Sequence, residues 1–146
     1  MLGGIAFDHS MGPISHSDGD ALLHAVTDAI LGALGFPDIG QLFPDDDPRH
    51  ESRDSSHFVL EAMRRARAAG YELMNLDATV ILERPKLSPQ KDRIRLRLAE
   101  LLGVAPEAVN IKGKTHERVD AVGEGRAVEV HVVALLETTS PPPTSR

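Results

Sequence analysis

The chain has 146 residues, of which 41% are apolar and 26% charged, proportions that fit one soluble globular domain with its own core. A formal net charge of −6 and only 3% aromatic residues, with no Trp, argue against nonspecific nucleic-acid binding and against base-stacking platforms. With no Cys there are no disulfides and no thiolate ligands, so any metal must be held by His and carboxylates, and the cytoplasm is the default compartment.

No apolar run approaches the roughly 18 residues of a membrane helix, and no secretory signal opens the chain, so no membrane association is expected. Met1 to Ile14, with Gly3-Gly4 and Gly12-Pro13, reads as a strand fragment or hairpin. A first helix is expected from Asp18 to about Leu34, stopped by Gly35 and Pro37, with Leu22, Ala25, Val26, Ala29, Ile30 and Ala33 as its core stripe. Asp38 to Pro48 reads as a loop carrying Asp45, Asp46 and Asp47. Asp54 to Ala69 reads as a second helix, capped by Asp54 or Ser55 and stopped by Gly70. A β-rich run follows from Tyr71 to Arg84 and ends at Pro85. Pro89 opens a third helix that Gly103 stops after Leu102, and Val109 to Lys112 reads as a short strand. A Gly-rich loop at Gly123 and Gly125 leads to a last strand, Ala127 to Leu136, and residues 138 to 146 read as a disordered tail. The last strand becomes continuously apolar, which predicts burial on both faces, one under helices and one under a neighbouring subunit. The elements sum to an α/β (α+β) fold, a single mixed sheet with helices packed on one face.

His16 to Asp28 concentrates the chemistry. His16-Ser17 precedes a helical run, where free N–H groups and the helix dipole favour an anion. His24 and Asp28 stand four apart on one helix face, a spacing that suits a metal-bound imidazole oriented by a carboxylate. The same residues also fit plain capping at Asp18 to Asp20 and a local His24–Asp28 bond with no metal. A phosphate site beside a metal site points to phosphoryl chemistry on a small molecule. His50, His57 and His131 are assigned no role.

Several motifs in register then carry a resemblance: Leu2-Gly3-Gly4-Ile5, His16-Ser17-Asp18-Gly19-Asp20, Leu23-His24-Ala25, Thr27-Asp28-Ala29, Asp38-Ile39-Gly40, Phe43-Pro44-Asp45, Arg84-Pro85-Lys86-Leu87, Val109-Asn110-Ile111-Lys112, and Thr115 with Glu117. From residue 2 to about 136 the chain resembles the 2-C-methyl-D-erythritol 2,4-cyclodiphosphate synthases of the non-mevalonate isoprenoid pathway. The resemblance implies a metal-dependent phosphorus–oxygen lyase, a homotrimer with active sites at subunit interfaces. Each site would use zinc and a second divalent ion, magnesium or manganese. The substrate would be 4-diphosphocytidyl-2-C-methyl-D-erythritol 2-phosphate, closed to the cyclic diphosphate with release of CMP.

Carried over by position, the resemblance implies His24 as a zinc ligand with Asp28 as its orienting partner, and His16 and Ser17 as the phosphate-holding pair. His16 and Thr115 would stabilise the transition state, with Lys114 beside them on the substrate, and Glu117 would hold the second ion. Asp38, Ile39 and Gly40 would meet the erythritol portion, Phe43, Pro44, Asp45, Asp46 and Asp47 would form a flexible substrate loop, and Leu82, Pro85, Lys86 and Leu87 would bind cytosine.

The chain departs from the family at three places. The strand with an Asp-x-His pair, the family's other zinc ligands, has no counterpart before Leu2, so residues 1 to 137 are expected to be an N-terminally incomplete synthase domain. Asp8-His9 is a poor substitute, because neighbours on an extended segment face opposite ways. The late Gly-Arg-Gly-Glu reads Gly123-Glu124-Gly125-Arg126, exchanging two charges, and His116 and Asp120 stand where threonine- or glycine-type residues are usual. The alternatives are a zinc-deficient, catalytically silent trimer that binds nucleotides or diphosphates, and a metal-dependent phosphohydrolase. Fusion to, or association with, the preceding cytidylyltransferase is a further expectation.

Overall fold

The computed structural model describes residues 1–7, 19–43 and 54–139. Helix α1 spans Ala21–Ala33, and Asp20 caps it by accepting the Leu23 N–H at 3.0 Å. The same buried carboxylate accepts Gly3 N–H at 2.8 Å and Gly4 N–H at 2.7 Å, tying the start of the chain to the head of the helix. Gly3 is obligatory there: it has φ +60°, and a Cβ would stand 2.6 Å from the Ile94 side chain. Residues Leu2 and Ile5 form only an isolated bridge, and residues 8 to 14 of the expected strand fragment or hairpin lie outside the described residues.

The buried face of α1 is Leu22, Leu23, Val26, Thr27, Ile30 and Leu31. Leu23, Thr27 and Leu31 thus take the places expected for Ala25, Ala29 and Ala33, because larger side chains gain more from leaving water. The buried Thr27 hydroxyl is satisfied by donating to the Leu23 carbonyl at 2.8 Å. The expected loop after α1 contains a one-turn helix, α2 (Ile39–Leu42), capped by the Asp38 carboxylate on the Gln41 N–H at 2.9 Å.

Helix α3 (Ser56–Ala68) leads through Gly70 into β1 (Tyr71–Ile81). After a cis Arg84–Pro85 peptide, a 3₁₀ turn at Ser88–Gln90 opens α4 (Lys91–Leu102), which Gly103 ends at φ +68°. Strand β2 (Val109–Lys114), the short α5 (Asp120–Gly123) and β3 (Glu129–Thr138) complete the chain. Thr138, expected in the tail, ends β3 opposite Tyr71, and Thr139 N–H donates to the Gly70 carbonyl; residues 140 to 146 lie outside the described set.

The sheet order is β2-β1-β3, parallel between β1 and β2 and antiparallel between β1 and β3. The parallel pair needs a crossover, and α4 supplies it. Helix α1 lies over β3, α4 over β2, and α3 fits against α1, α4 and β1, so the helices form one layer, as expected. Leu76, Ala78 and Val80 of β1 point into that layer and are fully buried. The opposite face is open: Val133 is 71% and Leu135 59% exposed. Beside them Asp77 accepts Lys112 Nζ at 2.6 Å and Asn110 Nδ2 at 2.9 Å, and these bonds hold its carboxyl below the usual range.

Candidate active site

The candidate residues fall into two groups, one on the helices and one at the strand ends. On α1, His24 faces the start of α3: its Nε2 is 2.9 Å from Ser55 Oγ, and its ring meets Phe58 edge-on at 5.8 Å. Ser55 is therefore not the side-chain cap of α3. Asp54 fills that role by accepting the Ser56 N–H at 2.8 Å, which keeps its carboxyl below the usual range. Asp28, expected to orient His24, accepts the Ile39 N–H at 2.9 Å and so pins α2 to α1. Asp38, Ile39 and Gly40 are thereby held against α1, at the residue one turn on from His24, rather than on a free loop.

Phe43 departs from its expected place in a flexible loop. It is buried, with its ring 4.8 Å from Phe58 and 6.1 Å from His57. It anchors the end of α2 to α3, and His57, given no role from sequence, closes the same aromatic cluster. Ser55 and Phe58 are the other members that sequence reasoning missed. The only signal was the Ser55–Phe58 run at a helix start; its partner His24 is 31 residues away in sequence. His16, Ser17, Pro44, Asp45, Asp46 and Asp47, like the Asp8-His9 pair, lie outside the described residues.

The second group sits at the carboxyl ends of the parallel strands, where α/β sheets commonly bind ligands. Leu82 N–H donates to the Lys114 carbonyl at 3.0 Å, joining the segment after β1 to the end of β2. Leu87 is buried and lies over Gly113, where a Cβ would meet its side chain at 3.3 Å. The structure thus brings Leu82 and Leu87, which flank Pro85 and Lys86, against the Gly113–Lys114 end of β2, and Thr115 and Glu117 follow directly in the chain. Lys86, Lys114, Thr115 and Glu117 are all exposed, and Glu83 Oε2 is shielded without a hydrogen-bond partner.

The turn after Thr115 is tightly wound. Glu117, Arg118 and Asp120 have φ of 51°, 67° and 62°, a region that non-glycine residues enter at a cost of about 1 kcal/mol or more each. Asp120 Oδ1 accepts Val122 N–H at 2.8 Å and Gly123 N–H at 3.3 Å, and its Oδ2 is 2.8 Å from His116 Nδ1. Partial burial would raise the Asp120 carboxyl, but the Gly123 and Val122 N–H groups and His116 bring it below its ordinary value. Beyond α5, Glu124 and Arg126, the exchanged charges, pair with each other at 2.6 Å.

Zinc centres use three or four protein ligands. Among the described residues no group of three or more His, Asp or Glu could hold a metal, and His24 is engaged with Ser55. These residues do not fit a zinc centre. Glu117 presents one exposed carboxylate, and magnesium-type ions bind through one or two carboxylates, phosphates and water.

The fold and these residues define a class: a mixed α/β domain with solvent-open loops at the carboxyl ends of a parallel strand pair and a histidine on the adjoining helical layer. Within that class, the chain belongs to the YgbB family, which it matches over residues 1–137. It is 58% identical over 136 residues to the chloroplastic 2-C-methyl-D-erythritol 2,4-cyclodiphosphate synthase of Oryza sativa subsp. japonica. It is 47% identical to the corresponding synthase of Rhodopirellula baltica, with 92% of this chain and 81% of that protein covered. A solved structure of such a synthase with CDP bound superposes with TM-score 0.87 at 38% identity, covering 94% of this chain and 89% of that one. The bifunctional IspDF from Campylobacter jejuni superposes with TM-score 0.86 at 34% identity, covering 93% of this chain and 37% of that one. The chain spans 61% of the rice protein and 59% of its Arabidopsis thaliana relative, about three fifths of the plant proteins it matches.

Proposed function

We propose that this chain is a cyclodiphosphate synthase, a phosphorus–oxygen lyase. The 2-phosphate of 4-diphosphocytidyl-2-C-methyl-D-erythritol 2-phosphate attacks the β-phosphorus, the bond to the CMP oxygen breaks, and CMP leaves with its electron pair. The observation that carries this reading is the joining of the Leu82–Leu87 segment to the Gly113–Lys114 end of β2, in a chain 47% identical to a synthase along most of both lengths. One segment holds the cytidine end and the other the diphosphate being opened.

Bringing two anionic phosphates together is a problem of positioning and charge neutralisation. The exposed Lys114 ammonium meets the diphosphate, and Thr115 donates its hydroxyl to the oxygens that gain charge. Glu117 is the ligand for magnesium or manganese, which would supply Lewis acidity between the phosphates. Backbone groups around Pro85-Lys86-Leu87 read the cytosine edge. Asp38 and Gly40, held by Asp28, offer a fixed polar edge to the erythritol hydroxyls. His16 and Ser17 are proposed as the phosphate-holding pair, and Pro44 to Asp47 as the substrate loop.

We further propose a homotrimer, in which the helical group of one chain meets the strand-end group of the next, and a cytoplasmic location, which a cysteine-free chain suits. Association with a cytidylyltransferase is supported by the match to bifunctional IspDF. The match to a synthase solved with CDP bound favours, as second reading, a trimer that binds CDP without turnover.

The test is phosphorus NMR of the purified chain with the diphosphocytidyl substrate and magnesium. Cyclic diphosphate and CMP in equal amounts are expected. CDP binding with no product would establish the second reading, and inorganic phosphate would mark a phosphohydrolase.

A further inference from the structure

The turn from Thr115 to Gly123 holds three non-glycine residues in the left-handed region, and their strain must be offset locally. The offset comes from Asp120. Its Oδ1 takes the Val122 and Gly123 N–H groups, and its Oδ2 reaches back four residues to His116 Nδ1 at 2.8 Å. The backbone beneath is equally constrained, because a Cβ on Gly123 would stand 2.5 Å from the Arg118 carbonyl carbon. His116 lies between Thr115 and Glu117 in sequence, so whatever fixes its ring fixes the peptide planes that carry both neighbours. Glu117 N–H also donates to Thr115 Oγ1 at 3.3 Å, which ties the Thr115 side chain to the backbone that carries Glu117.

We propose that His116 and Asp120 are a positioning pair, whose bond closes the turn and holds Thr115 and Glu117 in their working orientations. This rests on the synthase reading, in which Thr115 and Glu117 carry the phosphoryl chemistry. Neither His116 nor Asp120 transfers a proton in this scheme. A misplacement near 1 Å can cost about a hundredfold in rate, so a bond that removes even part of it is worth having. Asparagine at position 116 places an amide nitrogen where Nδ1 stands and can keep the bond, whereas alanine cannot.

The experiment compares wild type, H116A and H116N in steady-state turnover with magnesium titrated, alongside amide hydrogen exchange of residues 115 to 123. H116A is expected to lower kcat about tenfold, to leave KM within about threefold, and to raise the magnesium needed for half activation. H116N is expected to recover most of the rate, and exchange in the turn should quicken about tenfold in H116A only. A wild-type-like H116A, or an H116N as slow as H116A, would overturn the proposal. No turnover by wild type would overturn the synthase reading, and exchange would then decide: equal exchange in H116A and wild type overturns the pair as a latch, faster exchange supports it.

Discussion

Glu117 holds its backbone in the left-handed region, with φ 51°, and its side chain is open to solvent two residues past Thr115. Magnesium and manganese prefer oxygen ligands and keep water, so one carboxylate and the substrate's phosphates suffice to seat the ion. The variant E117Q keeps the shape and the backbone preference but removes the charge. It is expected to lower kcat about a hundredfold, roughly the loss when an ion worth a few kcal/mol to the transition state is displaced. Its melting temperature should stay at the wild-type value. Turnover as a function of magnesium checks this: undiminished kcat together with an unchanged magnesium concentration for half activation would remove Glu117 from the metal site. At the same scale Asp28, expected to orient His24, accepts the Ile39 N–H and so serves α2.

At the scale of elements, what could be read from sequence was what local chemistry decides. Gly35, Gly70 and Gly103 follow the three main helices at positive φ, and Asp20 and the Asp54-Ser55 pair open α1 and α3; these stops and starts need no distant partner. The buried face of α1 was harder to read because the helix is apolar nearly all round, so tertiary packing chose the flank with Leu23, Thr27 and Leu31 over the opposite flank with Ala25, Ala29 and Ala33. Helix α2 escaped notice because four residues leave no periodicity. The His24–Ser55 contact spans 31 residues, and three left-handed non-glycine residues have no compositional signal. Helix α3 offers a test of its own. Glu61 accepts Arg64 at 2.7 Å and Arg65 at 2.9 Å, and these bonds lower its carboxyl to about 2 from 4.5. A lowered folded-state value means stability that is present above about pH 4.5 and is lost as pH falls toward 2. Arg64 is well exposed, so screening reduces the contribution to about 1 kcal/mol or less. Urea unfolding from pH 6 to 2.5 should therefore show E61Q less stable than wild type at pH 6 and converging with it near pH 2.5. A constant gap across that range would mean the pair contributes packing and not charge.

At the scale of the molecule, one face of the sheet is finished and the other is not. The helical layer buries Leu76, Ala78 and Val80, while the far face presents Val133 and Leu135 on β3 and the Asp77–Lys112–Asn110 group beside them. Exposed apolar side chains on a sheet face, rimmed by paired charges, mark an interface more often than bare surface. If that interface makes the proposed trimer, oligomeric state and turnover must fall together, because each active site takes one group of residues from each of two chains. V133D tests this without touching either group: an aspartate at a position 71% exposed in one chain costs the isolated fold little, but buried in a trimer it is an unpaired charge costing several kcal/mol. Sedimentation of wild type is expected to give three times the chain mass and that of V133D a monomer, with unchanged circular dichroism and turnover at least about a hundredfold lower. Recovery of the V133D trimer and its activity together at high protein concentration would tie the two by mass action. A V133D monomer with full activity would place the whole site within one chain and remove the reason for assigning its two halves to different subunits.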